Sequence, residues 1–201
     1  MENPHIGSPD LQSRPPSRLI VGITGASGVI LGVRLLEALR STSVETHLIL
    51  SASAPLTIKE EIDRPVEEIL SVADVVYDVR DMSVAIASGS YATMGMVIIP
   101  CSIKTLSAVA NSYSNDLIAR AADVTLKEGR PLILVVRESP YHQGHLLLMK
   151  EASDAGAIIF PPVPAFYTHP KSVDDIVNNI VGHVLARLNI QNDLYHEWLG
   201  T

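Results

Sequence analysis

Several short stretches of this chain combine residue types that do chemistry. The first is VGITGASGVILG, Val21 to Gly32, where Gly22, Gly25 and Gly28 recur at every third position with Thr24 and Ser27 between them. Glycine at this density is costly unless the backbone turns tightly or approaches something closely. The others are SAS (Ser51–Ser53), SGS (Ser88–Ser90), PCSIKT (Pro100–Thr105), RESP with Arg137 and Glu138, and PPVPAFYTHP with Tyr167 and His169. Hydroxyls and amides suit phosphate and the edge of a polar ring. An arginine beside a glutamate supplies a fixed cation and a titratable acid.

The glycines join an apolar run, RLIV, to a segment with Ile30, Val33, Leu36 and Leu39 at helical spacing. A strand-to-helix turn of this kind aims backbone N–H groups and the positive end of a helix dipole at one point, where an anion is well held. The spacing is GxxGxxG rather than the GxGxxG of dinucleotide sites. The following run, ETHLIL, ends in Ser51 and Ser53 where such a site carries a ribose-binding acid, and no GK[ST] closes a P-loop. A phosphate without the adenosine clamp points to a mononucleotide, with FMN the first candidate. The alternative is a tight turn that binds nothing.

Each remaining stretch has a bland reading beside the functional one. Ser102 begins a helix and reads as its cap, with ligand binding as a second duty. Cys101 reads as a small buried residue, since no histidine or aspartate nearby in sequence would activate it. Arg137 and Glu138 read either as a surface ion pair or as a site placed straight off a buried strand. Arg120 and Lys127, seven apart in RAADVTLKEGR, share a helical face, so they either hold one anion jointly or decorate a solvated helix. The seven histidines show no HxH or HExxH spacing, and no metal site is expected.

The elements that must position these residues follow from the pattern. The 201 residues suit one domain. Residues 1–17 form a Pro- and Ser-rich segment expected to be a flexible leader without the apolar centre of a signal peptide, with 18–190 the domain and 191–201 a tail. Hydrophobic residues make up 47% of the chain, yet charges interrupt every run before membrane-span length. A net charge of −7 argues against a nucleic-acid surface, and a single cysteine fits a reducing cytoplasm. Five apolar runs read as strands: RLIV, ETHLIL, MVIIP, PLILVV and AIIFPP. Helices are expected near 29–40, 54–62, 103–111, 117–128 and 145–155, with a long last one capped by Ser172; a polar stretch continues to Asp81. Alternation with near-continuously apolar strands indicates an α/β, Rossmann-like (flavodoxin-like) fold, a three-layer parallel sheet with helices on both faces. Ligands bind such sheets beyond the carboxyl ends of the strands.

GITGASG, SGS, PCSIKTLSAVA, NDLIARAADVTLKEGRPLILVVRESP and GAIIFPPVPAFYTHP with SVDDIV together resemble the UbiX-type flavin prenyltransferases, from Arg18 to about Ile190, in the branch that accompanies aromatic-acid decarboxylases. The resemblance implies transfer of a dimethylallyl group from dimethylallyl monophosphate to N5 and C6 of reduced FMN, without a metal. The product, prenylated FMN, would serve a UbiD-type decarboxylase. It implies FMN contacts from Gly25, Ala26, Ser27, Ser51, Ser102, Ile103, Lys104, Thr105 and Arg137, and catalytic roles for Ser27, Glu61 and Glu138. It implies prenyl-phosphate contacts from Arg120, Lys127 and Tyr167, some supplied by neighbouring subunits of a homododecamer. One position departs: sixteen residues after Tyr167 the family carries Lys or Arg, and here it is His183. His183 is expected either at the prenyl phosphate or, on its helix, as a satisfied core histidine or an exposed one. Two other readings remain. One is an FMN or prenyl-FMN carrier for a partner decarboxylase. The other is an enzyme like the flavin-dependent cysteine decarboxylases, which need an early histidine and an asparagine motif where this chain has Glu60–Glu61 and PCSIKT.

Overall fold

A computed structural model describes residues 17–195. The rest of the expected leader and of the expected tail lies outside the described residues. Six parallel strands form one sheet in the order β3-β2-β1-β4-β5-β6. They are β1 (Ser17–Ile23), β2 (Val44–Leu50), β3 (Val75–Tyr77), β4 (Gly95–Cys101), β5 (Leu132–Val136) and β6 (Ile158–Ile159). Interleaved with them are α1 (Val29–Leu39), α2 (Ala54–Glu61), α3 (Val66–Leu70), α4 (Ile103–Ala110), α5 (Leu117–Lys127), α6 (Gln143–Asp154) and α7 (Val173–Arg187).

Side chains of successive strand residues point to opposite faces, and the core divides accordingly. Leu19, Val21 and Ile23 of β1 pack with Val97 and Ile99 of β4 under α1, α2, α3 and α7. Ile20 packs with Met96, Ile98 and Leu134 under α4, α5 and α6. Both faces are covered, so β4 and β5 are buried along their whole length. That explains why they read as unbroken apolar runs. The three-layer flavodoxin-like expectation holds.

Two expectations are corrected. The polar stretch before Asp81 contains α3 and the edge strand β3, which pairs with β2 through His47–Val75 to Ile49–Tyr77. AIIFPP yields only two strand residues, because Pro161 and Pro162 carry no N–H for the ladder; the Phe160 N–H still bonds to Leu134 O at 2.8 Å. The last helix starts as expected, with Ser172 and Asp175 in a reciprocal capping box.

Parallel connections run in opposite directions from β1: to β2 and β3 on one side, to β4, β5 and β6 on the other. The strand order therefore reverses between β1 and β4, and the crevice beyond their carboxyl ends is where an α/β sheet of this kind receives its ligand. The glycine turn leaves β1 on one side of that crevice and PCSIKT leaves β4 on the other.

Candidate active site

Thr24 ties the two sides together. It is fully buried, its hydroxyl donates to Pro100 O at 2.7 Å, and it accepts the Ser102 N–H at 2.9 Å. Ser102 caps α4 through the Thr105 N–H at 3.3 Å, with the two hydroxyls 3.1 Å apart. Among the glycines Thr24 reads as a hydroxyl donor for an anion; its hydroxyl is instead spent on joining the two turns. Next to it, Ser51 and Ser53 stand with their hydroxyls 3.3 Å apart. A Cβ on Gly25 would lie 2.2 Å from the Ser53 hydroxyl, so only glycine permits this approach. Gly28 turns the chain into α1 with φ +95°, a left-handed conformation that favours glycine.

Glu61 belongs to this cluster by an unanticipated contact. One carboxylate oxygen accepts the Gly28 N–H at 2.8 Å and the Val29 N–H at 3.2 Å. Gly28 has no side chain to cap α1, and the first turn of α1 holds no acid, so the end of α2 supplies the missing acceptor. The turn therefore does not present all of its N–H groups to an anion: Glu61 takes those of Gly28 and Val29. Among the described residues, the Ser27 hydroxyl, the Lys104 ammonium and the Arg137 guanidinium have no side-chain partner. Lys104 and Arg137 are exposed, and Ile103, Lys104 and Thr105 form the first turn of α4. The Arg137 N–H bonds to Cys101 O at 3.1 Å, which places Arg137 and Glu138 beside the PCSIKT turn. The Glu138 carboxylate accepts the Ser139 N–H at 2.9 Å, and no ion pair joins Arg137 to Glu138 among the described residues. Cys101 is buried, and burial pushes its thiol well above the ordinary range, so it is no nucleophile.

Arg120 and Lys127 share one face of α5, as expected, and that face meets the segment carrying Ser88–Ser90. Arg120 donates to Ala87 O at 3.1 Å and pairs with Asp123 at 3.2 Å. Lys127 pairs with Glu128, and both lie against Gly89, where a Cβ would come 2.5 Å from the ammonium nitrogen. The helix begins near the carboxyl rim, where the Leu117 N–H bonds to Val79 O, and ends just before β5 begins. Lys127 therefore sits toward the opposite rim from the glycine turn. A strand of seven residues spans roughly 20 Å, so one chain does not bring Lys127 to its own Ser27.

Tyr167 lies in a helical turn, Phe166–Thr168, beyond β6 and is half exposed. His183 lies on α7, stacked on the Tyr195 ring at 4.8 Å and edge-on to Phe160 at 5.1 Å. Partial burial first, and Arg187 second, hold its pKa below 6.5. It is not the core histidine of one expectation.

Around the crevice stand two hydroxyl pairs, Ser51 with Ser53 after β2 and Ser102 with Thr105 at the start of α4, groups that suit a phosphate. A sequence profile described as Flavoprotein matches residues 8–185. Flavin prenyltransferase UbiX of Escherichia coli K12 is 54% identical over 186 residues, which cover 91% of this chain and 98% of that protein. Among solved structures, AnUbiX (PadA1) in complex with FMN and dimethylallyl pyrophosphate superposes with a TM-score of 0.91 at 43% identity, covering 93% of this chain and all of the other. A dodecameric FMN-dependent UbiX-like decarboxylase from Escherichia coli O157:H7 gives 0.89 at 46% identity, covering 91% of this chain and 100% of its own. With an identity above half across nearly the full length of both proteins, this chain belongs to the UbiX-type flavin prenyltransferase family.

Proposed function

We propose that this protein transfers a dimethylallyl group from dimethylallyl monophosphate to reduced FMN and releases prenylated FMN for a UbiD-type decarboxylase. The observation that carries the reading is the crevice at the β1/β4 reversal, flanked by the glycine turn after β1 and the hydroxyl-bearing PCSIKT turn after β4, which Thr24 ties together. FMN is the acceptor; its ring supplies the nucleophilic N5 and C6 that receive the prenyl unit. Ser27, Ser51, Ser102, Thr105, Lys104 and Arg137 hold its phosphate and ring edge, with backbone from Gly25, Ala26 and Ile103.

Breaking the allylic C–O bond puts negative charge on the departing phosphate. Arg120, Lys127 and the Tyr167 hydroxyl stabilise it, and their value is greatest where water is excluded. Arg120 and Lys127 are paired with Asp123 and Glu128, partners that a phosphate would replace. Glu138, or the released phosphate, takes the proton from C6. Glu61 acts from the turn, where it holds the Gly28 and Val29 N–H groups, and Ser27 orients the flavin edge.

Because Lys127 sits toward the far rim from its own glycine turn, the phosphate grip is assigned to a neighbouring subunit. Leu146 and Leu147 on α6, and Val163, Phe166 and Tyr167 beyond β6, are all more than half exposed. Apolar exposure on this scale supports an assembly, which we take to be a dodecamer like the E. coli O157:H7 relative. We place the enzyme in the cytoplasm, consistent with its one buried, unpaired cysteine. No helix among the described residues is long and apolar enough to cross a membrane.

The test is anaerobic incubation with reduced FMN and either dimethylallyl monophosphate or the diphosphate found with AnUbiX. The expected product is a flavin heavier by one prenyl unit, formed from the monophosphate without added metal. A flavin that binds and is returned unaltered under both conditions would instead identify a carrier.

A further inference from the structure

Helix α5 ends at Lys127 in a tight turn. Gly129 adopts φ +66°, its N–H bonds to Leu126 O, and the Arg130 N–H bonds to Thr125 O, both at 2.9 Å. The next residue fixes the backbone again: Pro131 O accepts the Met96 N–H at 2.9 Å, at the start of β4. Arg130 is thus anchored on both sides, and its guanidinium reaches into the segment before β4. It donates to Gly89 O at 2.8 Å, to Tyr91 O at 2.8 Å and to the Thr93 hydroxyl at 3.3 Å. Arg18 holds the same segment from β1, its guanidinium 4.6 Å from the centre of the Tyr91 ring.

Between these holds lie Ser88, Gly89 and Ser90. The two serine hydroxyls are 3.0 Å apart, and Gly89 is the residue pressed against Lys127. The segment belongs to no strand: Ser88 O accepts the Tyr91 N–H at 3.2 Å, and the Gly89 and Tyr91 carbonyls take their partner from Arg130. A planar guanidinium satisfies two carbonyls and a hydroxyl at once, whereas an ammonium is a point donor without that fork.

We propose that Arg130 is a positioning residue for prenyl-phosphate binding. It touches neither the phosphate nor the flavin. It holds Ser88–Ser90 against Lys127 and Arg120, so that two hydroxyls and two cations converge before the phosphate arrives. The inference rests on the assignment of Arg120 and Lys127 to that phosphate. It adds a residue whose effect on the donor should be separable from any effect on FMN.

The experiment compares Arg130→Ala, Arg130→Lys and Lys127→Ala in the full oligomer, measuring the KM for dimethylallyl phosphate, kcat and the Kd of FMN. Arg130→Ala and Arg130→Lys should both raise the donor KM, by roughly ten- to a hundredfold for a displaced binding group. The Kd of FMN should stay at the wild-type value, while kcat falls as well, because the displaced cations also stabilise the departing phosphate. Guanidinium ion at non-denaturing concentration should lower the KM of Arg130→Ala, and ammonium ion should not. Thr93→Val, which deletes only the longest of the three bonds, should raise the KM by a smaller step in a safely folded protein. A wild-type KM in Arg130→Lys would overturn the proposal, since charge alone would then suffice. A weakened FMN Kd in Arg130→Ala would overturn it too, as a general structural role. An unchanged donor KM in Lys127→Ala would instead remove the assignment beneath it.

Discussion

At the scale of single residues, His183 is where this chain departs from its family, and its surroundings set its chemistry. Stacked on Tyr195, the imidazole has its pKa held below the ordinary histidine value by desolvation first and Arg187 second. A phosphate dianion alongside would draw that pKa up. If His183 meets the prenyl phosphate, donor affinity in the wild type should fall as pH rises through the shifted value. His183→Arg keeps a stacking plane and a permanent charge. It should lower the donor KM at pH 8 by roughly tenfold, the worth of one charge-assisted bond, and remove the alkaline rise. Superimposable KM profiles for the two proteins would show that residue 183 does not contact the donor. Single residues also show how much of the site was legible. Ser102 as a helix cap and Arg120 with Lys127 on one face both follow from spacing, and both hold. Glu61 as the cap of α1 was not legible, because it bridges 33 residues of sequence to reach a glycine. An uncapped helix start with no acid in its first turn was the only sign that an acceptor had to come from elsewhere.

At the scale of elements, the strongly apolar strands announced themselves and the edges did not. β3 has three residues and an exposed middle one, too short for any period to show. Its attachment is polar and aromatic: His47 is 1% exposed, with one ring nitrogen 2.9 Å from the Tyr77 hydroxyl and the other 2.9 Å from Glu45. Tyr91 meets the ring edge-on at 5.7 Å, so one histidine joins β2, β3 and the segment before β4. Burial lowers its pKa more than Glu45 and Asp74 raise it, with Arg18 adding to the lowering. The folded state therefore takes up this proton less readily than the unfolded chain. Stability is complete above the unfolded pKa and is lost as pH falls through the folded one. Thermal unfolding should move to lower temperature between about pH 6.5 and 5, before carboxylates such as Asp74 titrate. His47→Gln should flatten that limb, leaving only the share that His183 adds by the same sign. An unchanged slope in His47→Gln would mean that His47 does not couple protonation to folding.

At the scale of the whole molecule, the fold places the glycine turn and Lys127 toward opposite rims of the sheet. The flavin crevice opens at the carboxyl rim between β1 and β4. The cluster of Ser88, Ser90, Arg120 and Lys127 extends toward the amino rim along α5. Sequence motifs report which residues are present but not which rim they occupy. The direction of α5 relative to the strands adds which end of the cluster lies far from the glycine turn: that of Lys127. Glu138 of one subunit and Lys127 of another then serve the same flavin. The most direct test is to co-express Lys127→Ala and Glu138→Ala chains with different tags and isolate the oligomers that carry both. Prenylated FMN is then measured against each parent oligomer. If each flavin is served across an interface, about a quarter of the sites in a randomly mixed closed assembly regain both residues. Mixed oligomers should then turn over at about that fraction of the wild-type rate while each parent stays inactive. Mixed oligomers no more active than their parents would contradict a site built between subunits.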